Sequence, residues 1–354
     1  MYYLFHKILH SFLIIIGVIS IVFVFFNVIP ADPAKIMLGQ RDDISQIDII
    51  NKKYAFDKPL ALQYFYYVND LSFVSVHSNS DPYNYTYLNK YQHFPLITLK
   101  EKTLVFKFPY LRKSFVRSEK NVADIIVETF PNTCILALSS IFFAMILGVL
   151  LGVLSGFYKY SFIDRFILFF SSLGVALPSF FSAIIFSWFF GFVLFEYTNL
   201  NLTGGLYYID DFGNENKFVL KNLILPAFTL GIRPLAVITQ LTRNSYIEVA
   251  QQDYIRTAYA KGLSKITIIK KHIMKNALNP IVTSVSGWFA SMLAGAVFVE
   301  YIFSWNGIGK EIVESLNQMD LPVVMGCVIL ISLIFITINL LVDVVYLFLD
   351  PRVK

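Results

Sequence analysis

The chain has 354 residues, of which 56% are hydrophobic, 15% are charged and 35 are Phe. A soluble domain carries about 25% charged residues, so the composition excludes an ordinary soluble domain and points to a protein that crosses the membrane several times. The net charge of +5 is modest, and its distribution along the chain carries the information.

A membrane helix needs about 20 mostly apolar residues. Six stretches qualify: Ile8 to Ile29, Thr133 to Phe157, Phe166 to Phe195, Leu223 to Leu241, Ile281 to Val299 and Val323 to Leu349. The first is longer than a signal-peptide core of about 7 to 15 residues, and no small-x-small cleavage site follows it, so a retained helix is expected. The third is longer than a bilayer requires and contains Pro178, which predicts a kink, a tilt or an end projecting beyond the lipid. Both cysteines, Cys134 and Cys327, fall inside apolar runs, and no disulfide is expected.

Residues 30–120 are too polar to span. The stretch "YAFDKPLALQYFYYVNDL" mixes apolar and polar residues at helical spacing, and "LITLKEKTLVFKFPYL" reads as two short strands around a charged turn. The Tyr-rich "DPYNYTYLNKYQHF" between them reads as irregular. Its Asn84-Tyr85-Thr86 matches a glycosylation acceptor, a pattern too common to carry weight.

Two spans carry stripes of small residues. Gly148, Gly152 and Gly156 share one face of the second, and Gly287, Ser291 and Gly295, flanked by Ser286, Ala290 and Ala294, share one face of the fifth. Such faces let a second backbone approach closely in lipid. Packing within one subunit is the plain explanation. The sharper one is that the fifth span lines a path or moves against a partner. Arg233 and Asp343 are the charges inside spans, where a charge suggests function by default. Asp343 lies only about two turns from the tail.

Orientation follows from Lys and Arg in the loops. The connection from Arg243 to Lys275 holds seven cationic residues against Glu248 and Asp253, so it is expected inside. The connections after the third and fifth spans are richer in acidic residues and are expected outside. Six spans with both termini cytoplasmic satisfy every loop.

The basic connection has internal order. Ser245 and Glu248 form an S-x-x-E capping box, which predicts a helix start, with Ile247, Ala250, Tyr254 and Ala258 on one face and Arg256 opposite. Gly262 interrupts as a C-cap glycine would. Ser264 can cap a second helix, with Ile266, Ile269, Ile273 and Ala277 on one face and Lys271 and Lys275 opposite. The loop is read as two short amphipathic helices joined at a glycine, a stiff knuckle. Basic amphipathic helices also lie on anionic lipid, so composition alone leaves its purpose open.

The residues themselves resemble the signature loop of ABC-importer permeases. In the peptide-permease branch the signature reads roughly Tyr-x-Arg-Thr-Ala-Arg-Ala-Lys-Gly-Leu, then His-x-x-x-Asn-Ala-Leu-x-Pro. Here it stands as Tyr254-Ile255-Arg256-Thr257-Ala258-Tyr259-Ala260-Lys261-Gly262-Leu263 and His272-Ile273-Met274-Lys275-Asn276-Ala277-Leu278-Asn279-Pro280. Tyr259 replaces the usual Arg, and Asn279 replaces an apolar residue. "GAVFVEYIFSWNGIGKEIVESLNQMDLPVV", with Asn306 where Pro is usual, "NLLVDVVYLFLDPRVK", "VIPADPA" and "FDKPLALQY" resemble further family segments. The resemblance is to the B-type subunit of the dipeptide/oligopeptide (and nickel) permeases. Residues from about 72 to 108 have no counterpart in that pattern and are read as an extracytoplasmic insertion.

The resemblance implies an all-α polytopic membrane protein with the type I ABC-importer permease fold. Its parts would be an N-terminal transmembrane helix (1–29), an extracytoplasmic segment (30–120), a core of five helices (121–349) containing a cytoplasmic coupling loop (243–279), and a cytoplasmic tail (350–354). It implies that Tyr254, Arg256, Ala258, Lys261 and Gly262 couple the chain to an ATPase. The translocation path, or helix packing, would use Ser286, Gly287, Ala290, Ser291, Ala294 and Gly295. The implied partners are a homologous permease, two ATP-binding subunits, an extracytoplasmic solute-binding protein and the lipid bilayer of the inner membrane. The chain itself would bind no cofactor, with ATP and Mg held on the partner subunits, and no nucleic acid.

The residues agree that the chain is no enzyme. A P-loop needs G-x-x-x-x-G-K-[ST], whereas Gly309-Lys310 is followed by Glu311 and lacks the earlier glycine. No metal-ligand cluster and no nucleophile–base pairing is visible. A solitary ion-coupled transporter would show inverted repeats and midplane charges, and neither is clear. A membrane receptor or scaffold is the remaining rival, separable by which partner co-purifies. The residues do not name the solute.

Overall fold

The computed structural model describes residues 2–28, 33–38, 44–79, 85–117, 120–209 and 216–349. In chain order come α1 (Tyr2–Val28), α2 (Pro33–Leu38), α3 (Ile44–Tyr54), α4 (Leu60–Leu71), β1 (Val74–Ser78), β2 (His93–Leu99), β3 (Lys102–Lys107) and α5 (Val122–Phe157). Next are α6 (Phe162–Ala176), α7 (Ser179–Trp188), α8 (Phe195–Thr198), β4 (Tyr207–Ile209), β5 (Asn216–Phe218), α9 (Lys221–Ala250), α10 (Asp253–Ala260), α11 (Lys265–Ile268) and α12 (Met274–Ala277). The chain ends with α13 (Asn279–Gly295), α14 (Val297–Ile302), α15 (Ile308–Asn317) and α16 (Leu321–Leu349).

Within the described residues all six apolar stretches lie mainly on helices, but they are not six equal rods. Among the described residues three helices, Val122–Phe157, Lys221–Ala250 and Leu321–Val342, are long and apolar enough to cross a membrane. The third expected span is a break rather than a kink: α6 and the helix through Val193 meet at 111°. The cause is local. Pro178 offers no N–H to the turn below it, and its ring forces Leu177 into an extended conformation (φ −76°, ψ 130°), which ends α6. The fifth stretch is also divided, since α13 stops at Gly295 and α14 restarts at Val297. In α1 the strongly apolar part is Leu9–Phe25.

Two compact units emerge. The first comprises Met1–Glu128 with Glu311–Leu333. In it α4 packs on α1 through a Ser20–Tyr64 hydroxyl hydrogen bond of 2.7 Å and the Phe23–Tyr67 ring stack. The two expected strands are β2 and β3, and β1 completes an antiparallel sheet in the order β1-β3-β2. Sequence reading missed β1. Its alternation is inverted, with Val74 and Val76 exposed and Ser75 and His77 buried. Burying polar groups is costly unless they are paired, and here they are. His77 is held by Ser75 Oγ and the Thr86 carbonyl. Buried Asp70 accepts hydrogen bonds from Tyr85 (2.5 Å), Tyr91 (2.9 Å) and Arg112 (3.1 Å), while Lys107 Nζ donates to the Asp70 carbonyl. Burial pulls the Lys107 ammonium down to about 8. Among the described residues of the "DPYNYTYLNKYQHF" stretch, Leu88–Lys90 form a 3-10 turn and His93 and Phe94 open β2. Asn84 and the tail 350–354 lie outside the described residues.

The second unit comprises Thr129–Lys310 with Ile334–Lys354. Its core joins Leu136 and Ile141 of α5, Ala183 of α7, Leu225 and Leu230 of α9, Met292 of α13, Val299 of α14, and Phe303 and Trp305 beyond it. Neither Cys134 nor Cys327 is in a disulfide.

Candidate functional site

The basic connection does not begin where the capping box suggested. α9 runs unbroken from Lys221 to Ala250, straight through Ser245 and Glu248. A capping serine must leave helical geometry, and at this point tertiary packing favours continuing, because buried Tyr246 lies against Gly156 of α5. The helix gives out at Gln251 and Gln252, and α10 begins at Asp253. Ile247 and Ala250 therefore belong to the stem, and Tyr254 and Ala258 to a separate short helix.

α10 turns its apolar face inward. Ile255 and Ala258 are buried with Tyr246, Ile268, Ile273 and Ala277 in one small cluster. The opposite face is open. Tyr254 is 44% exposed, and Lys261 and Gly262 are exposed. Arg256 reaches Asp253 at 3.5 Å, with both side chains largely in solvent, a pairing of little energetic weight. The five residues assigned to coupling thus divide: Ala258 anchors the helix, and Tyr254, Arg256, Lys261 and Gly262 form its accessible surface.

Gly262 behaves as the spacing suggested. Its φ is +73°, the left-handed region that side chains resist. Its N–H donates to the Tyr259 carbonyl (3.0 Å), and the Leu263 N–H donates to that of Ala258 (3.4 Å), which closes the end of α10. A Cβ built at Gly262 meets nothing within 4 Å, so glycine is required by backbone conformation alone. Ser264 then caps the next helix, accepting from the Thr267 N–H at 3.3 Å.

That second helix differs from the simple 3.6-residue reading. α11 and α12 are joined by a π turn, Ile269–Ile273. The wider turn inserts one residue, so the buried positions run Ile268, Ile273, Ala277, and Ile266 is 67% exposed instead of lining the inner face. Asn276 Nδ2 donates to the Tyr254 hydroxyl at 2.8 Å and braces the two arms of the knuckle against each other.

The stem is gripped from the side. Gly148, Gly152 and Gly156 of α5 lie directly on α9, close to Ile238, Thr242 and Tyr246 in turn. Where the helices leave their apolar runs, Asp164 at the start of α6 meets Arg243 of α9. Two guanidinium nitrogens, Nε and Nη2, donate to its two carboxylate oxygens at 2.7 and 2.8 Å. Asp164 is 1% exposed and also accepts from Ser155 Oγ (2.5 Å) and the Tyr160 N–H (2.8 Å). Sequence reading passed over Asp164. The available signal was Ser161-x-x-Asp164, whose Ser161 Oγ does accept from the Asp164 N–H (3.3 Å) at the start of α6.

The small-residue face of the fifth span is a different surface. Ala290 is buried, Ser286 is half-buried, and Gly287 and Ser291 are exposed. A Cβ at Gly287 would meet nothing within 4 Å. Ala294 and Gly295 complete α13, with surroundings outside the described residues. Beyond α14, the Gly307-x-Gly309-Lys310 run receives a buried carboxylate. Glu300 Oε2 accepts from the N–H groups of Gly309 (2.6 Å) and Lys310 (3.3 Å) at the start of α15. A Cβ at Gly307 would lie 2.4 Å from that oxygen. These glycines therefore serve carboxylate approach within the chain. Among the described residues no group of His, Cys, Asp or Glu is placed to hold a metal. Arg233 is exposed on α9, and the Asp343 side chain lies outside the described residues.

Comparison with known proteins covers nearly the whole chain, and its N-terminal match runs into the stretch read as an insertion. Residues 148–354 match the family model "Binding-protein-dependent transport system inner membrane component", and residues 1–90 match "Binding-prot-dependent transport system membrane comp, N-term". The chain is 31% identical to the dipeptide transport system permease protein DppB of Alkalihalophilus pseudofirmus, covering 96% of each. It is 30% identical to the oligopeptide transport system permease protein AppB of Bacillus subtilis, covering 99% of each. It is 28% identical to the probable D,D-dipeptide transport system permease protein DdpB of Escherichia coli, covering 96% of this chain and 94% of the relative. A solved chain of the inward-facing MetNI methionine ABC transporter is 17% identical, with a TM-score of 0.45, and covers 63% of this chain and 97% of that one.

Proposed function

Since the chain belongs to the family of binding-protein-dependent transport system inner membrane components, and is thus a permease subunit of an ABC importer, we propose that it moves peptides or similar small solutes, driven through the knuckle at Gly262. Relatives named as dipeptide and oligopeptide permeases support the cargo class. In this reading the bilayer is crossed six times with both termini in the cytoplasm, and the bent α6–α7 pair counts as one crossing. The knuckle then lies on the cytosolic side. A homologous permease completes the pathway, a solute-binding protein delivers cargo from outside, and two separate ATP-binding subunits hold ATP and Mg and hydrolyse the nucleotide.

The observation that carries this reading is the division of labour in α10. Ile255 and Ala258 root the helix in the protein, while Tyr254, Arg256, Lys261 and the Gly262 turn are exposed on its other side. A separate subunit gripping that surface moves the stem α9 with it, because no slack intervenes: the Gln251–Gln252 turn is two residues long, and Asn276 braces the knuckle. Driving a two-state switch nearly to completion takes about 5.5 kcal/mol of differential stabilisation, within reach of ATP binding and turnover on the partners. The fifth-span residues Gly287 and Ser291 are assigned to the path or to the facing permease.

Replacement of Gly262 tests the reading. In Gly262→Leu the Cβ meets nothing within 4 Å, but a side chain is forced into the left-handed region, at a cost of about 1–2 kcal/mol. The variant should insert normally and lose ATPase binding or uptake. Gly262→Asn, which tolerates that conformation, should retain more of both. Wild-type uptake and ATPase association in Gly262→Leu would remove the coupling role.

A further inference from the structure

A displacement of α10 is useful only if it reaches the helices that form the gate. A polar junction lies at the base of the stem, seven residues before α9 ends at Ala250. There the Asp164 carboxylate joins three separate pieces of chain: Ser155 near the end of α5, the Tyr160 N–H in the α5–α6 turn, and Arg243 on α9. Tyr160 is itself in the left-handed region, φ 66°, a costly conformation for a tyrosine that the Asp164 acceptor holds in place.

The four hydrogen bonds to this carboxylate come from three places, one from α5, one from the α5–α6 turn and two from Arg243 on α9, so it can serve as a fastener and not merely as a local cap. The pair is two-pronged, which fixes angle as well as distance. It is buried from solvent on the Asp164 side, so salt and water screen it little. Further along, α6 lies on the same helix, with a Cβ at Gly174 reaching Ala236 Cβ at 3.4 Å. α6 is thus held to α9 at Gly174 by apolar contact and at Asp164 by charge.

We propose that Asp164 and Arg243 are positioning residues for transport, a strut that makes α5, α6 and α9 move as one body when the knuckle is displaced. This rests on the reading of the knuckle as the ATPase-driven handle and adds where the motion goes next. The strut touches neither solute nor nucleotide. Its loss should uncouple: the motor turns over, the stem yields at its base, and α6 fails to follow.

The test uses the assembled transporter, reconstituted in vesicles with its ATP-binding subunits, partner permease and binding protein. Asp164→Asn, Arg243→Gln and the double variant are compared for ATP hydrolysed and solute taken up, normalised to assembled complex. The strut predicts ATPase activity within about threefold of wild type and uptake per ATP at least about tenfold lower, a loss worth about 1.4 kcal/mol. The double variant should be no worse than the worse single, because the two groups act as a unit. Spin labels on exposed Phe162→Cys and Lys265→Cys should keep their separation when wild type is trapped with nucleotide and lose that constancy in Asp164→Asn. Unchanged uptake per ATP, or uptake and hydrolysis falling together with complex yield, overturns the strut and leaves the handle standing. A wild-type complex without ATP-dependent uptake overturns the handle, and the strut with it.

Discussion

Two helices of this chain carry the same sequence device, and the structure uses it in opposite ways. Along α5 the glycines at 148, 152 and 156 are filled by α9: a Cβ at Gly152 would lie 2.5 Å from Thr242 Cβ and 2.7 Å from the Thr239 carbonyl oxygen. Along α13, Gly287 has nothing within 4 Å and Ser291 is exposed. In lipid, small residues gain by letting backbones approach, and the first stripe obtains that gain inside the chain. The first face is a fixed joint; on the second, Gly287 and Ser291 stay exposed, as the proposed path or partner surface would need.

The comparison can be broken at its strongest point. Gly152→Val should lose at least about 3 kcal/mol, since overpacking against backbone cannot relax. A sharp fall in monodisperse protein and melting temperature in detergent would register it, and normal yield would refute the fixed joint. Gly156→Ala meets the softer Tyr246 ring at 2.7 Å and should cost about 1–2 kcal/mol. Tyr246→Leu in the same chain should recover part of that loss in the same melting assay. Gly287→Ala should leave folding unharmed or improve it by up to about 1 kcal/mol through helix propensity. A fall in uptake at unchanged melting temperature would mark the face as used by something outside this chain, whereas a folding defect would place it among the packed joints.

Part of the site was legible because its causes are local. Gly262 is required by its own backbone angle, and the Ser264 cap by the N–H three residues on. The capping box at Ser245 was legible and misleading. Its local preference is worth about 1 kcal/mol, less than the packing of Tyr246 and its neighbours that carries α9 onward. The inner face of the second arm was shifted by a π turn that no apolar period announces. β1 escaped notice because its alternation is inverted, with polar residues facing the Asp70 cluster.

What the sequence by itself determined is whatever depends on transfer from water and on single-residue backbone preference: the apolar stretches, the basic connection, an irregularity at Pro178 and the glycine turn at Gly262. What only the tertiary structure decided is which surfaces meet. Two glycine-type stripes read alike until the opposing helix is known, and Asp164 and Arg243, 79 residues apart, become a pair only when α6 lies beside α9. Close packing and ion pairing fall off over a few ångströms, so they are set by the partner that folding brings alongside, which no spacing along the chain encodes.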